Sequence, residues 1–98
     1  MIERKYFTYI ATNKNQSAFY VGVSNSLIRR AWEHKSKYYD NSFTEKYNID
    51  KIVYYEIWGD VYQAIAREKQ LKNLLRQKKI DLINKMNPAW IDLVEEIE

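Results

Sequence analysis

The chain has 98 residues, 46% of them hydrophobic and 15% aromatic, and its formal net charge is +3. This composition predicts a folded domain rather than a disordered chain, and the length suits one domain over residues 1–98. The absence of cysteine excludes disulfides, thiol nucleophiles and cysteine-ligated zinc. With no signal-peptide pattern and no apolar run of roughly 20 residues, we expect a cytoplasmic protein without membrane contact.

The first half of the chain predicts a β-hairpin followed by a helix. Residues 6–12 and 18–23 are rich in aromatic and β-branched side chains and flank a polar turn, as in two antiparallel strands. Ser24-Asn25-Ser26 then offers capping side chains for a helix over residues 26–37. The polar and aromatic stretch over residues 38–50 is expected to be a surface loop.

The second half predicts one more strand and a series of helices. The strand covers residues 51–58, and Gly59-Asp60 turns the chain into an amphipathic helix over residues 61–76. A short helix is expected over residues 77–85, ended by Asn87-Pro88, and a last amphipathic segment over residues 90–97. This order of elements predicts a small sheet packed by helices.

One carboxylate is predicted to lie on the apolar stripe of the helix over residues 61–76. The stripe consists of Ala64, Ile65, Leu71 and Leu75, and Glu68 falls within it at three- and four-residue steps. A carboxylate in such a position is rarely tolerated unless it is paired or binds a metal.

Two basic side chains show the same anomaly on the helix over residues 26–37. Arg30 and His34, the only histidine, share the inward face with Leu27 and Ala31. Polar residues from two helices suggest a common site. The alternatives are a buried salt bridge between Arg30 and Glu68, and a histidine that is merely hydrogen-bonded in the core.

A spaced set of residues across the hairpin and both helices matches a known catalytic pattern. The set is Phe7-Thr8-Tyr9, Tyr20-Val21-Gly22, Arg30, His34 and Glu68. It resembles the GIY-YIG nuclease superfamily, with Phe7 and Thr8 in place of the glycine and isoleucine of the first motif. Residues 42–48, 64–72 and 87–93 resemble the branch of small, stand-alone bacterial members.

The resemblance implies an α+β fold, with a small three-stranded antiparallel sheet flanked by helices. It also implies a divalent-metal-dependent endonuclease that hydrolyses DNA phosphodiester bonds with one Mg²⁺ or Mn²⁺ ion. Because the chain leaves no room for a separate recognition domain, strong sequence specificity is not expected. The setting implied is DNA repair or recombination.

The resemblance further implies a role for each matched residue. Glu68 would hold the metal ion, and Arg30 would bind the scissile phosphate through its planar guanidinium. Tyr9 and Tyr20 would position or deprotonate the attacking water, and His34 would support proton transfer or orient the phosphate. Two more residues are implied as supporting: Gly22 and Asn87.

The identity of the base is left open by the sequence. Forming a phenolate at pH 7 costs roughly 4 kcal/mol for an unperturbed tyrosine. A positive neighbour such as Arg30 would reduce that cost. Tyr9 or Tyr20 could therefore act as the base or only relay a proton, and either could instead be ordinary hairpin packing.

The basic side chains indicate a polyanionic partner, with a solvated helix surface as the alternative. Those predicted to contact nucleic acid, most simply DNA, are Arg29, Lys35, Lys37, Lys46, Lys69, Lys72 and Arg76. Aromatic residues interleaved with lysines in the loop could add stacking contacts: Tyr38, Tyr39, Phe43 and Tyr47.

Two competing functions remain. One is a non-catalytic nucleic-acid-binding module derived from the same fold. The other is an interaction protein that uses its aromatic surface and acidic C-terminal segment to bind a protein partner.

Overall fold

The structure, a computed structural model, describes residues 4–36 and 46–97. Its strands β1 (Tyr6–Thr12), β2 (Phe19–Ser24) and β3 (Lys51–Trp58) form one antiparallel sheet in the order β2-β1-β3. The helices described are α1 (Leu27–Ser36), α2 (Val61–Asn73), α3 (Arg76–Met86) and α4 (Leu93–Ile97). The predicted α+β architecture, a three-stranded antiparallel sheet flanked by helices, is confirmed.

Two predictions concern parts of the chain that the structure does not describe. The surface loop predicted over residues 38–50 lies mostly outside the described residues, as do Lys37, Tyr38, Tyr39 and Phe43.

Among the residues that are described, no helix has both the length and the apolar character needed to cross a membrane.

The alternation of side chains along β1 divides the core into two layers. On one face of the sheet, Tyr9 packs in a buried cluster with Leu27 and Ala31 of α1. On the other face, Ile10 packs in a second cluster with Leu71 of α2. Helices α1 and α2 therefore cover opposite faces of the sheet.

The helix predicted over residues 61–76 ends early, at Asn73. Leu74 and Leu75 are both extended, with φ/ψ of −70°/145° and −60°/151°, and α3 begins directly after them. This turn lets Leu74 pack against the second core layer and lets α3 fold back to bury Ile83. The apolar stripe was predicted to include Ile65 and Leu75, and it is wrong at both positions, because these side chains are 38% and 75% exposed.

The last predicted segment is also shorter than expected, since α4 begins at Leu93 and not at Trp90. Trp90 has a positive φ of 55°, and its ring packs 6.0 Å from that of Phe19. Asn87 fixes this turn: its amide nitrogen donates to the carbonyls of Val53 and Ile91 at 3.0 and 2.9 Å. The buried Asn87 side chain is thus occupied by backbone groups beside β3.

Candidate active site

The two hairpin tyrosines meet over a glycine. Register places Tyr9 of β1 directly opposite Gly22 of β2, and the rings of Tyr9 and Tyr20 lie 6.2 Å apart. A Cβ atom at position 22 would lie 2.6 Å from the Tyr9 hydroxyl oxygen and 2.9 Å from Cε2 of Tyr20. Glycine is therefore required at position 22 for the two phenols to pack as they do.

His34 of α1 joins the two tyrosines from the same face of the sheet. Its Nε2 lies 3.2 Å from the Tyr9 hydroxyl, and its ring lies 5.5 Å from that of Tyr20. Burial, together with the positive charge of Arg30, lowers the pKa of His34 to about 4. The imidazole is therefore neutral at pH 7, and its Nε2 either accepts from or donates to Tyr9 according to the tautomer.

The two tyrosines differ in their access to solvent. Tyr9 is completely buried, whereas Tyr20 is partly exposed. Tyr20 is therefore more accessible to solvent than Tyr9 and the buried His34. The sequence gives no signal for this difference, because both residues occupy similar positions in the hairpin.

Arg30 lies one helical turn before His34 and extends toward β2. A terminal nitrogen of its guanidinium lies 3.5 Å from the carbonyl oxygen of Val23, and the other lies 3.7 Å from a carboxylate oxygen of Glu33. Because the strand order makes β2 an outer strand, the half-buried guanidinium is held at an edge of the sheet.

The orientation of α2 determines where Glu68 lies. Ala64 and Leu71 face the sheet, and Arg67 Nε donates to both carboxylate oxygens of Glu56 on β3, at 3.0 and 3.1 Å. Successive residues of an α-helix are rotated by about 100°. Since Arg67 flanks the buried stripe on the β3 side, Glu68 flanks it on the other side, toward β2.

Glu68 and the tyrosine–histidine cluster therefore belong to opposite faces of the sheet. The rotation of α2 turns Glu68 toward β2, the strand to which the guanidinium of Arg30 also extends. Two contacts connect the elements there: Thr8 pairs with Val23, and the Thr8 hydroxyl donates to the Ala64 carbonyl at 2.8 Å. Glu68 lies one turn beyond Ala64 on α2.

The surroundings of Glu68 fit a hard cation with few protein ligands. Its side chain is 20% exposed, and one carboxylate oxygen lies 3.4 Å from Nζ of Lys72. The described part of the chain holds no group of three or more histidine, cysteine, aspartate or glutamate side chains able to bind a metal. Mg²⁺ commonly uses one or two carboxylates, with water and phosphate completing its shell. The donor set present suits such an ion.

Arg76, expected to contact nucleic acid, is occupied by the protein itself. Its guanidinium donates to the carbonyls of Gln16 and Ser17, at 2.6 and 3.5 Å, and lies 4.6 Å from the ring centroid of Phe19. These contacts fasten the start of α3 to the turn between β1 and β2. They give Arg76 a structural role that its charge did not indicate.

The other predicted nucleic-acid contacts are distributed over several surfaces. Arg29 donates to Asn25, Lys35 is paired with Asp92, and Lys46 lies over the ring of Tyr47. Lys69 and Lys72 are exposed on α2, near Glu68 in sequence. Lys69 and Lys72 therefore lie on the same helix as Glu68, the predicted metal ligand.

A polar network that the sequence patterns did not predict connects α2 to β3. Tyr54 donates to Glu56, which also accepts from Arg67. Burial, and then the hydrogen bond and charge of Glu56, raise the pKa of Tyr54 to about 12, against an opposing effect of Arg67. The alternation of strand residues offered a signal, because positions 54 and 56 must share a face.

Comparison with known proteins adds three findings. The family model of the GIY-YIG catalytic domain matches residues 5–81. A UPF0213 protein of Syntrophus aciditrophicus (strain SB) is 30% identical over 84 residues, which are 86% of this chain and 94% of that protein. The solution NMR structure of a UPF0213 protein from Bacillus halodurans has a TM-score of 0.56 at 21% identity, and the match covers 91% of this chain and 93% of the other. The last similarity supports the fold.

Proposed function

The chain belongs to the GIY-YIG family, and from this premise we propose that it is a divalent-metal-dependent endonuclease that hydrolyses DNA phosphodiester bonds. The observation that supports the proposal is the cluster of Tyr9, Tyr20 and His34, with the guanidinium of Arg30 beside the backbone of β2. We propose that Glu68, on the flank of α2 that is turned toward β2, completes this site. A cytoplasmic role in DNA repair or recombination is part of the same proposal.

Arg30 binds the scissile phosphate. Its guanidinium presents paired N–H donors in a plane that matches two phosphate oxygens, which lysine does not offer. Because the side chain is half-buried, its attraction to the phosphate is screened less than at a fully exposed site. The same positive charge favours a phenolate nearby.

Tyr20 orients the attacking water and receives or passes on its proton. It is the more exposed of the two clustered phenols, so it is the one that reaches a bound substrate. Tyr9 and His34 form the wall behind it, and neutral His34 accepts the Tyr9 hydroxyl when its own proton is on Nδ1. This contact holds the Tyr9 ring against Gly22 and Tyr20. Tyr9 and His34 therefore act as positioning residues.

Glu68 holds one Mg²⁺ or Mn²⁺ ion. Such an ion would supply positive charge to the phosphate and to the leaving oxygen. The contribution of the chain is to keep the carboxylate partly buried on α2, which is fixed by the Arg67–Glu56 pair and by the Thr8–Ala64 hydrogen bond. In this proposal Asn87 supports the site by holding the turn beside β3, through its contacts with Val53 and Ile91.

The proposal is tested by incubating plasmid, branched and single-stranded DNA with the protein and either Mg²⁺ or Mn²⁺. We expect cleavage of at least one substrate, its loss in a chelator, and its loss in Glu68→Gln. Glu95→Gln, which removes an exposed acid from α4, is the matched control and should cut like the wild type. Salt-dependent DNA binding without any cleavage would favour the non-catalytic binding module instead.

A further inference from the structure

The contact between Glu68 and Lys72 has a consequence for how metal and DNA bind. The two residues lie one helical turn apart on α2, and Nζ of Lys72 is 3.4 Å from Oε2 of Glu68. The lysine is 53% exposed, whereas the glutamate is 20% exposed. The cation is thus the mobile partner on a flexible four-carbon chain, and the carboxylate is the fixed one.

We propose that Lys72 occupies the cation position at Glu68 until a divalent ion displaces it, and that the displaced ammonium then binds a DNA phosphate beside the cleavage site. This inference rests on the proposed function, because it assigns Glu68 as the metal ligand. It adds a substrate contact that becomes available only when the metal is bound.

Electrostatics favour the exchange. A divalent ion interacts with one carboxylate more strongly than a single ammonium does, and two cations within a few ångströms repel each other. Metal entry therefore separates Lys72 from Glu68. The released ammonium cannot move far, since its backbone is fixed within α2, so it remains on the helix flank that faces the β2 edge.

The exchange of Lys72 for a metal ion also changes the charge that the flank of α2 presents to DNA. Paired with Glu68, Lys72 contributes little net charge to the flank of α2. Once released, it can neutralise one phosphate and displace one condensed counterion. Metal and DNA then bind cooperatively, and by linkage each raises the affinity of the protein for the other.

The first test is a titration of the protein alone with Mn²⁺, with free ion measured by electron paramagnetic resonance. We expect Lys72→Met to bind Mn²⁺ about three- to tenfold more tightly than the wild type, because the competing charge is gone. Lys69→Met, which removes a neighbouring exposed charge from α2, should change the affinity by less than twofold. Glu68→Gln should abolish this binding.

The second test measures DNA binding in a chelator, where no cleavage occurs. Lys72→Met should lower DNA affinity by less than twofold when Glu68 is present. In the Glu68→Gln background, where Lys72 is released, the same change should lower affinity by severalfold and reduce the salt slope by about one.

The outcomes separate the two proposals. If Glu68→Gln abolishes Mn²⁺ binding but Lys72→Met leaves it unchanged, the role of Lys72 is wrong and the metal site stands. If Glu68→Gln binds Mn²⁺ as the wild type does, the assignment of Glu68 in the proposed function is wrong. An equal effect of Lys72→Met on DNA affinity in both backgrounds would also overturn the exchange.

Discussion

Gly22 lies opposite Tyr9 in the hairpin, so close that a Cβ atom at position 22 would be 2.6 Å from the phenol oxygen. The same atom would lie 2.9 Å from the ring of Tyr20. The glycine of this motif is therefore explained by side-chain packing, because its backbone does not adopt a positive φ.

Gly22→Ala should displace one or both phenols. Overpacking of this kind typically costs about 1–3 kcal/mol, which in a domain of this size lowers Tm by several degrees. DNA cleavage should fall further than the loss of folded protein explains, since the displaced rings are those proposed to act. Gly59→Ala is the control, because nothing lies within 4 Å of its Cβ position. Equal effects of the two substitutions would contradict the packing argument.

The buried His34 should make the protein less stable in acid. Its pKa is about 4 in the folded chain and 6.5 for the unperturbed side chain, with burial as the main cause. Well above pH 6.5 His34 is neutral in both the folded and the unfolded chain, so it contributes no pH dependence there. As the pH falls toward 4, only the unfolded chain takes up the proton, and the free energy of unfolding drops by up to roughly 3 kcal/mol.

Urea unfolding of the wild type and of His34→Gln, at several pH values between 7 and 4, measures this effect. Carboxylates titrate in both proteins, so the difference between them isolates His34, the only histidine in the chain. The variant should lose less stability across this range. If the free energy of unfolding falls equally with pH in the two proteins, the histidine is readily protonated in the folded state.

Glu56 should raise the pKa of Tyr54 in a way that a substitution can reveal. Burial is the largest cause of the value of about 12, and the hydrogen bond and charge of Glu56 come next. In Glu56→Gln the pKa should fall toward 10 while the burial contribution remains. Ultraviolet titration of the nine tyrosines measures it, with Tyr54→Phe identifying the step that belongs to Tyr54. If Tyr54 titrates at the same pH in Glu56→Gln as in the wild type, Glu56 does not raise its pKa.

Arg76 and Lys69 should separate structural from nucleic-acid-binding charges. Arg76→Met loses two backbone hydrogen bonds and the contact with Phe19, which together stabilise the fold by roughly 1–2 kcal/mol. Its DNA affinity should stay within about twofold of wild type. Lys69→Met should show the opposite pattern, with unchanged stability and weaker DNA binding. Thermal melts and DNA-binding curves measure both effects. If Arg76→Met weakens DNA binding and leaves Tm unchanged, Arg76 contacts DNA and does not stabilise the fold.

Much of the fold could be predicted from local pattern. The strands over residues 6–12 and 51–58 begin and end where alternation and β-branched residues indicated, and the ends of β2, α1 and α3 each differ from the prediction by one residue. The end of α2 could not be predicted. Leu74 and Leu75 favour helix by propensity, and the chain leaves the helix there because turning back buries Ile83.

The sequence suggested the members of the candidate site, whereas their positions in space depend on the fold. Helical spacing placed Arg30 and His34 on the inward face of α1, as the structure has them. Spacing alone could not indicate that α2 crosses the opposite face of the sheet from α1, so that Glu68 does not share the face of Tyr9 and His34. That arrangement depends on contacts distant in sequence, such as Arg67 with Glu56.

The central claim is that Glu68 and Arg30 act on one phosphodiester across the β2 edge. The most direct test is a double-substitution cycle of Glu68→Gln and Arg30→Lys, measured as single-turnover cleavage rates with excess protein and Mn²⁺. Each single change should lower the rate by about 100-fold or more. This exceeds the usual effect of substituting a residue that only hydrogen-bonds to a metal ligand. Because residues of one reaction centre act as a unit, the double variant should be no slower than the slower single variant, within a few fold. Losses that multiply in the double variant, or a Glu68→Gln protein that cuts at the wild-type rate, would contradict a shared centre.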